Sequence, residues 1–184
     1  MIGWLVRKRL DAYEREFDYD TGYLRDIYAA SPRAFWRFSK FLGLSTYRED
    51  ASNDAWYAAQ LVGTLTEDCG PCTQLVVTMA ERAGVTASTL HAILAGDEAA
   101  MSADAALGYG FARAVLSRDV ALSDRLREQI VSHWGQKAVI SLAFAVASAR
   151  VFPTVKYALG HGKACVRVRV AGADALLQRH ETSR

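Results

Sequence analysis

The residues of this chain best suited to chemistry lie in the stretch TEDCGPCTQL, which begins at Thr66 and ends at Leu75. Cys69 and Cys72 are separated there by Gly70 and Pro71. At a helix start this spacing brings two sulfurs within bonding reach with little backbone movement, and the unpaired N–H groups of the first turn favour a thiolate. Pro71 suits that turn because it has no N–H to lose. The pair fits a redox couple, half of a zinc site, or two small buried residues. Redox is the leading reading, because a structural zinc site wants four ligands and only Cys165 and scattered histidines stand by to complete one. Glu67 and Asp68 bring negative charge beside the thiols. They are expected first as caps of the following helix, with a general-base role as the alternative where burial raises a carboxyl pKa.

The whole chain sets the frame for this motif. With 184 residues, 51% hydrophobic and 23% charged, and only three prolines, it is long enough for one well-buried core and short for two. A single domain over 1–184 is expected. The net charge is +2, and basic residues cluster only at Arg7, Lys8 and Arg9 and at Arg167 and Arg169. That argues against a nucleic-acid partner. The opening MIGWLVRKRL has neither the apolar core nor the cleavage site of a secretory signal. The longest apolar run, 138–149, covers about 12 residues against the ~20 a membrane-crossing helix needs, so a buried core helix and no membrane partner are expected. An odd number of cysteines without an export signal points to a reducing, cytoplasmic compartment.

Periods of three and four dominate the elements that must position the motif. Ser31 and Pro32 read as an N-cap and first helical residue, opening a helix through Phe35, Phe38 and Leu42 that Gly43 can close. A short helix at 22–30 precedes it. Ser52 or Asn53 caps the next, with Ala55, Ala58, Val62 and Leu65 on one stripe and Tyr57, Gln60 and Thr64 off it. After Pro71, a second helix places Cys72, Leu75, Val76, Met79, Ala80 and Ala83 on one apolar face, until Gly84. Further helices are expected at 87–95, closed by Gly96, at 103–116, 123–134 and 136–159, the last kinked or broken at Pro153. The alternation Val-Arg-Val-Arg-Val within 165–170 suggests a strand. The fold class is therefore all-α with a short C-terminal strand.

CGPC also occurs in thioredoxins, but there it follows a strand and usually a tryptophan, whereas here Asp68 and a helix lead in. The helix, CxxC, helix arrangement instead resembles the alkylhydroperoxidase D-like, or carboxymuconolactone decarboxylase, superfamily of helical bundles. The resemblance runs over 53–160 and rests on EDCGPCTQLVV, the MAERAGV turn and the apolar SLAFAVASARVFPTVKYALG. It divides the chain into N-terminal helices (1–50), the core (53–160) and a C-terminal tail (161–184). It implies that Cys72 attacks a peroxide while Cys69 resolves it and exchanges with a partner thiol, protein or small molecule, with no cofactor or metal. The family's peroxidase branch carries a glutamate twelve residues before the first cysteine and a histidine four after the second, as a proton relay. Tyr57 and Val76 occupy those positions here.

Other residues could replace the relay or wall a pocket. Tyr57 can keep a hydrogen-bonding role, and His133, beside Trp134, can reach the site by folding or bond a helix-end carbonyl. His91 reads as solvated, and His161 and His180 belong to a loop and a tail. Trp36, Phe38, Phe41, Trp56 and Tyr57 could line a substrate pocket, although such spacing more often means core. Cys165 reads as a bystander. The favoured function is a CxxC-dependent thiol-disulfide oxidoreductase or weak peroxidase acting on a small molecule. The alternatives are a cysteine-independent decarboxylase or lyase of a small carboxylate, and a helical module without catalysis. Helices this apolar, above all 138–149, suggest a homo-oligomer. General-base assistance contributes roughly 10²–10⁴-fold, so without the relay a peroxide assay should show slow turnover, and Glu67→Gln should lower it further if Glu67 substitutes as the base.

Overall fold

Helix starts in this chain are written in its polar residues. Side-chain oxygens of Ser31, Ser52, Thr86, Ser102 and Asp119 each accept a first-turn backbone N–H, satisfying amides that have no partner inside the helix. The computed structural model describes residues 2–162, 167–175 and 177. They form α1 (Ile2–Phe17), α2 (Gly22–Ala30), α3 (Pro32–Ser39), α4 (Phe41–Ser45), α5 (Asn53–Thr66), α6 (Gly70–Arg82), α7 (Ala87–Ala95), a 3₁₀ turn (Glu98–Ala100), α8 (Ala103–Ser117), α9 (Val120–Trp134), α10 (Gln136–Ala158), β1 (Arg169–Val170) and β2 (Ala173–Asp174). The fold is all-α with a small C-terminal hairpin. Cys165 and His180 lie outside the described residues.

Several boundaries differ from the expectation, each for a physical reason. The helix expected to run from Pro32 through Leu42 is two helices, with Gly43 inside the second. Phe38 and Phe41 both pack edge-on against Phe152 of α10, at 5.5 and 5.6 Å between ring centres, and the break lets the chain bend around that ring. α9 begins at Val120 because Asp119 accepts the Leu122 N–H at 2.9 Å. α10 is continuous through Pro153. The Thr154 hydroxyl donates to the Arg150 carbonyl at 2.6 Å, in the turn whose bonding a proline disturbs.

α5 is the central helix. It packs against α6, α7, α8 and α10, so its burial goes nearly all the way round and includes Gln60 and Thr64, expected on the outer side. Their polar atoms are satisfied: the Gln60 amide donates to the Ser45 carbonyl at 3.0 Å and the Thr64 hydroxyl to the Leu61 carbonyl at 3.1 Å. On α6 the buried face is Cys72, Thr73, Val76, Val77 and Ala80, with Leu75 and Met79 half-buried at its edge.

Two glycines set how closely the layers approach. A Cβ on Gly108 of α8 would stand 2.2 Å from the Ala55 carbonyl oxygen of α5, and one on Gly63 of α5 would stand 2.8 Å from the Ala149 Cβ of α10. α10 has 23 residues and a mean hydropathy of 1.7 over its most apolar window, long and apolar enough to cross a membrane; half of that window is buried inside the fold. Ile140 and Tyr157 of α10 and Leu159, its C-cap, are exposed.

The two ends of the chain close on this core differently. Val168 and Val170 are fully buried in the main core, while Arg167 and Arg169 face out. Part of the expected tail is therefore core. The hairpin, with Arg169 opposite Asp174 and Val170 opposite Ala173, is held to α6 by the Gln74 side chain, which accepts the Arg169 N–H at 2.7 Å and donates to its carbonyl at 3.1 Å. At the other end, Val6, Leu10 and Phe35 form a separate apolar cluster joined by Leu24, Ile27 and Tyr28. Overpacking a core helix contact costs about 1–3 kcal/mol. Gly108→Ala, which meets rigid backbone, should lower the thermal midpoint by roughly 2–4 °C per kcal/mol, whereas Gly43→Ala, with open space around it, should leave a calorimetric scan nearly unchanged.

Candidate functional site

The CxxC motif lies where α5 hands the chain to α6. Glu67 is the C-cap of α5, Asp68 adopts a left-handed backbone (φ +49), and Cys69 is the N-cap of α6. No side chain caps the first turn of α6, so neither Glu67 nor Asp68 fills the capping role expected of it. Cys69 and Cys72 form a disulfide with Cα atoms 5.3 Å apart. The two residues are 2% and 4% exposed.

The cover over Cys72 comes from the connection between α1 and α2. Asp18 turns the chain with φ +49, and Tyr19 then enters the interior, its hydroxyl 3.9 Å from Cys72 Sγ. Glu14 fixes this connection: its Oε1 accepts the Thr21 N–H at 3.0 Å and the Thr21 hydroxyl at 2.6 Å, while Arg25 bridges its Oε2 at 2.8 Å and Asp11 at 2.7 Å. Arg82 of α6 ties the end of α1, bonding the Glu16 carboxylate and carbonyl at 2.8 Å and lying 4.4 Å from the Phe17 ring centre. Behind Tyr19 stand Tyr23 and Lys156. Lys156 is 3% exposed, and its Nζ lies 4.5 Å from the Tyr19 ring centre and 5.5 Å from that of Tyr23.

Electrostatics follow from burial. Loss of solvent first, then the neighbouring Tyr23, holds the Tyr19 hydroxyl protonated well above the ordinary phenol range. Tyr13 and Tyr23 are pushed up to about 12, chiefly by burial. His161 bonds Asp26 through Nε2 at 2.7 Å, with its ring 6.5 Å from Tyr23.

The other residues singled out from the sequence lie apart from the sulfurs or are engaged elsewhere. The Glu67 carboxylate pairs with Arg150 and accepts from the Thr154 hydroxyl. The Asp68 side chain is exposed, and its carbonyl accepts from the Tyr157 hydroxyl at 3.0 Å. Tyr57 sits near the opposite end of α5, about 14 Å along the axis from Thr66, edge-on to Trp56 at 4.9 Å. Val76 is a buried core residue. His133 is exposed in an open cleft of about 490 Å³ between α8 and α9, 3.8 Å from Asp104, and that carboxylate disfavours a bound anion. His91 is half-buried on α7. The aromatics do not form one pocket: Phe38 and Phe41 join Phe152, Trp56 joins Tyr57, and Trp36 is exposed.

Tyr19, Tyr23 and Lys156 escaped the sequence reading. The available signal was Lys156, a cation late in an apolar helix; nothing in the sequence linked Tyr19 to a cysteine 53 residues away. Among the described residues no group of three or more histidine, cysteine or acidic side chains is placed to hold a metal ion. No family model, curated protein or solved structure matches the chain.

The Glu14 clamp carries a pH dependence. Its carboxyl is held below the ordinary 4.5, first by the Thr21 hydroxyl, with Arg25 adding. A depressed folded value means that its stabilisation is complete above the unfolded value and fades as pH falls through the lowered folded one. Glu14→Gln should therefore be less stable than wild type at about pH 6 in urea melts, and the difference should shrink toward about pH 3.

Proposed function

We propose that this protein is a dithiol-disulfide oxidoreductase that cycles Cys69 and Cys72. The observation that carries the reading is the disulfide at the uncapped start of α6 with a phenol hydroxyl on one of its sulfurs. A helix start favours a thiolate, and a hydroxyl donor stabilises one further. In the reductive half, the thiolate of a reductant attacks Cys69 Sγ, the bond to Cys72 breaks, and Cys72 Sγ leaves with the electron pair. A second thiolate then attacks the reductant's sulfur in the mixed disulfide and releases Cys69. The two electrons come from two reductant thiols, which end as a disulfide.

The oxidative half runs through Cys72. Its thiolate attacks the terminal oxygen of a peroxide, forming a sulfenic acid, and the other oxygen leaves as an alkoxide that takes up a proton. The Cys69 thiol then displaces hydroxide from the sulfenic sulfur, giving the disulfide and water. This half is slow. Tyr57 and Val76 supply no relay, Glu67 is committed to Arg150, and burial of both sulfurs requires local opening before any sizeable oxidant enters. A small thiol needs less opening than a protein reductant. In this proposal the protein works in the reducing cytoplasm as a homo-oligomer in which the helix at 136–159 packs against a second copy.

The test follows the sulfurs. Under mild oxidation and dithiothreitol in alternation, mass spectrometry should find Cys69 joined to Cys72 and then released, with Cys165 free throughout, and Cys72→Ser should lose all thiol-dependent turnover. Full activity of Cys72→Ser on any substrate would move the function to cysteine-independent chemistry such as a lyase.

A further inference from the structure

A disulfide sulfur carries no hydrogen, so in the 3.9 Å contact between Tyr19 Oη and Cys72 Sγ the phenol is the donor. That contact joins α1–α2 to α6 across 53 residues of sequence, and it falls on the sulfur that becomes the leaving group when a thiolate attacks Cys69. The ring is held from several sides. Tyr13 meets it edge-on at 6.2 Å, the Tyr23 hydroxyl hydrogen-bonds its hydroxyl, Asp20 acts on it by charge, and the Lys156 ammonium lies 4.5 Å from its centre. Lysine is rarely buried. Here the residue is 3% exposed and its cation faces two tyrosine rings, a contact that fixes ring orientation and adds positive charge near the site.

We propose that Tyr19 is a catalytic residue, the hydrogen-bond donor to the Cys72 thiolate, and that Lys156 is the residue that positions it. This rests on the oxidoreductase reading above. When the bond between Cys69 and Cys72 breaks, the electron pair remains on Cys72 Sγ and the Tyr19 O–H points to it; no proton is transferred. Burial keeps the phenol proton in place, so Tyr19 is a donor and not a base. In the oxidative direction the same donor holds the attacking thiolate. The site thus replaces a relay that would remove the thiol proton with a donor that stabilises the anion once formed, and the segment supplying it lies outside the stretch that carries the family resemblance.

The experiment is a titration of the reduced full chain, following the Cys72 Cβ chemical shift by NMR, together with the rate of disulfide reduction by dithiothreitol. A hydrogen bond to a charged group is lost in Tyr19→Phe, so the Cys72 pKa should rise by about one unit and reduction should slow about tenfold. 3-Fluorotyrosine at position 19 keeps the ring and acidifies the hydroxyl, so it should shift Cys72 the other way even if Tyr19→Phe folds poorly. Lys156→Met should reproduce part of the phenylalanine effect, and Lys156→Arg should restore the wild-type titration. An unshifted Cys72 in both position-19 proteins overturns the role of Tyr19 while a cycling disulfide leaves the oxidoreductase reading standing. A disulfide that does not cycle overturns both.

Discussion

The close approach of backbone to backbone along α5 is the constraint on which the rest of the molecule depends. Gly108 lets α8 lie against the Ala55 carbonyl, and Gly63 admits Ala149 of α10. At ordinary helix spacing these contacts would be gaps, and gaps forfeit dispersion contacts on both walls. With α5 held this way, its C-terminal end delivers the chain to Cys69 at a fixed place. α10, drawn in on the same helix, brings Arg150 to Glu67 and Lys156 to the tyrosines.

Three effects compete at the sulfurs. Burial opposes the thiolate, because an ion loses solvent in a site only a few per cent exposed. The helix start and the Tyr19 hydroxyl favour it, the former by about 0.3–1 kcal/mol in ordinary settings and a hydrogen bond to an ion by about 1.5–3 kcal/mol. On the redox function proposed above, turnover requires the α1–α2 cover over Cys72 to open.

That cover belongs to a different packing unit from the sulfurs it protects. Val6, Leu10 and Phe35 form their own small cluster, joined to α6 by Arg82 at Glu16 and Phe17 and to the site by Tyr19. Its partly exposed ion pairs contribute little, so the cost of opening the cover lies in exposing the buried Tyr19, Thr21 and Tyr23.

Much was legible in the sequence where the governing physics is local. Ser31 with Pro32, Ser52 before Asn53, and Gly84 and Gly96 mark helix ends because capping and left-handed backbone depend on neighbours in the chain. The CxxC spacing likewise determined that Cys69 and Cys72 could meet, and the Val/Arg alternation determined which side of 167–170 turns inward. The tertiary structure decided what stripes cannot express. α5 is buried nearly all round, so Gln60 and Thr64 lie inside against the pattern of their own helix. Glu67 was drawn to Arg150, 83 residues away, and so left the turn it was expected to cap. Tyr19 and Lys156 became neighbours of Cys72 only through the packing of α1–α2 and α10 around α6, because a contact between distant segments is set by how helices pack and leaves no period in the sequence of either.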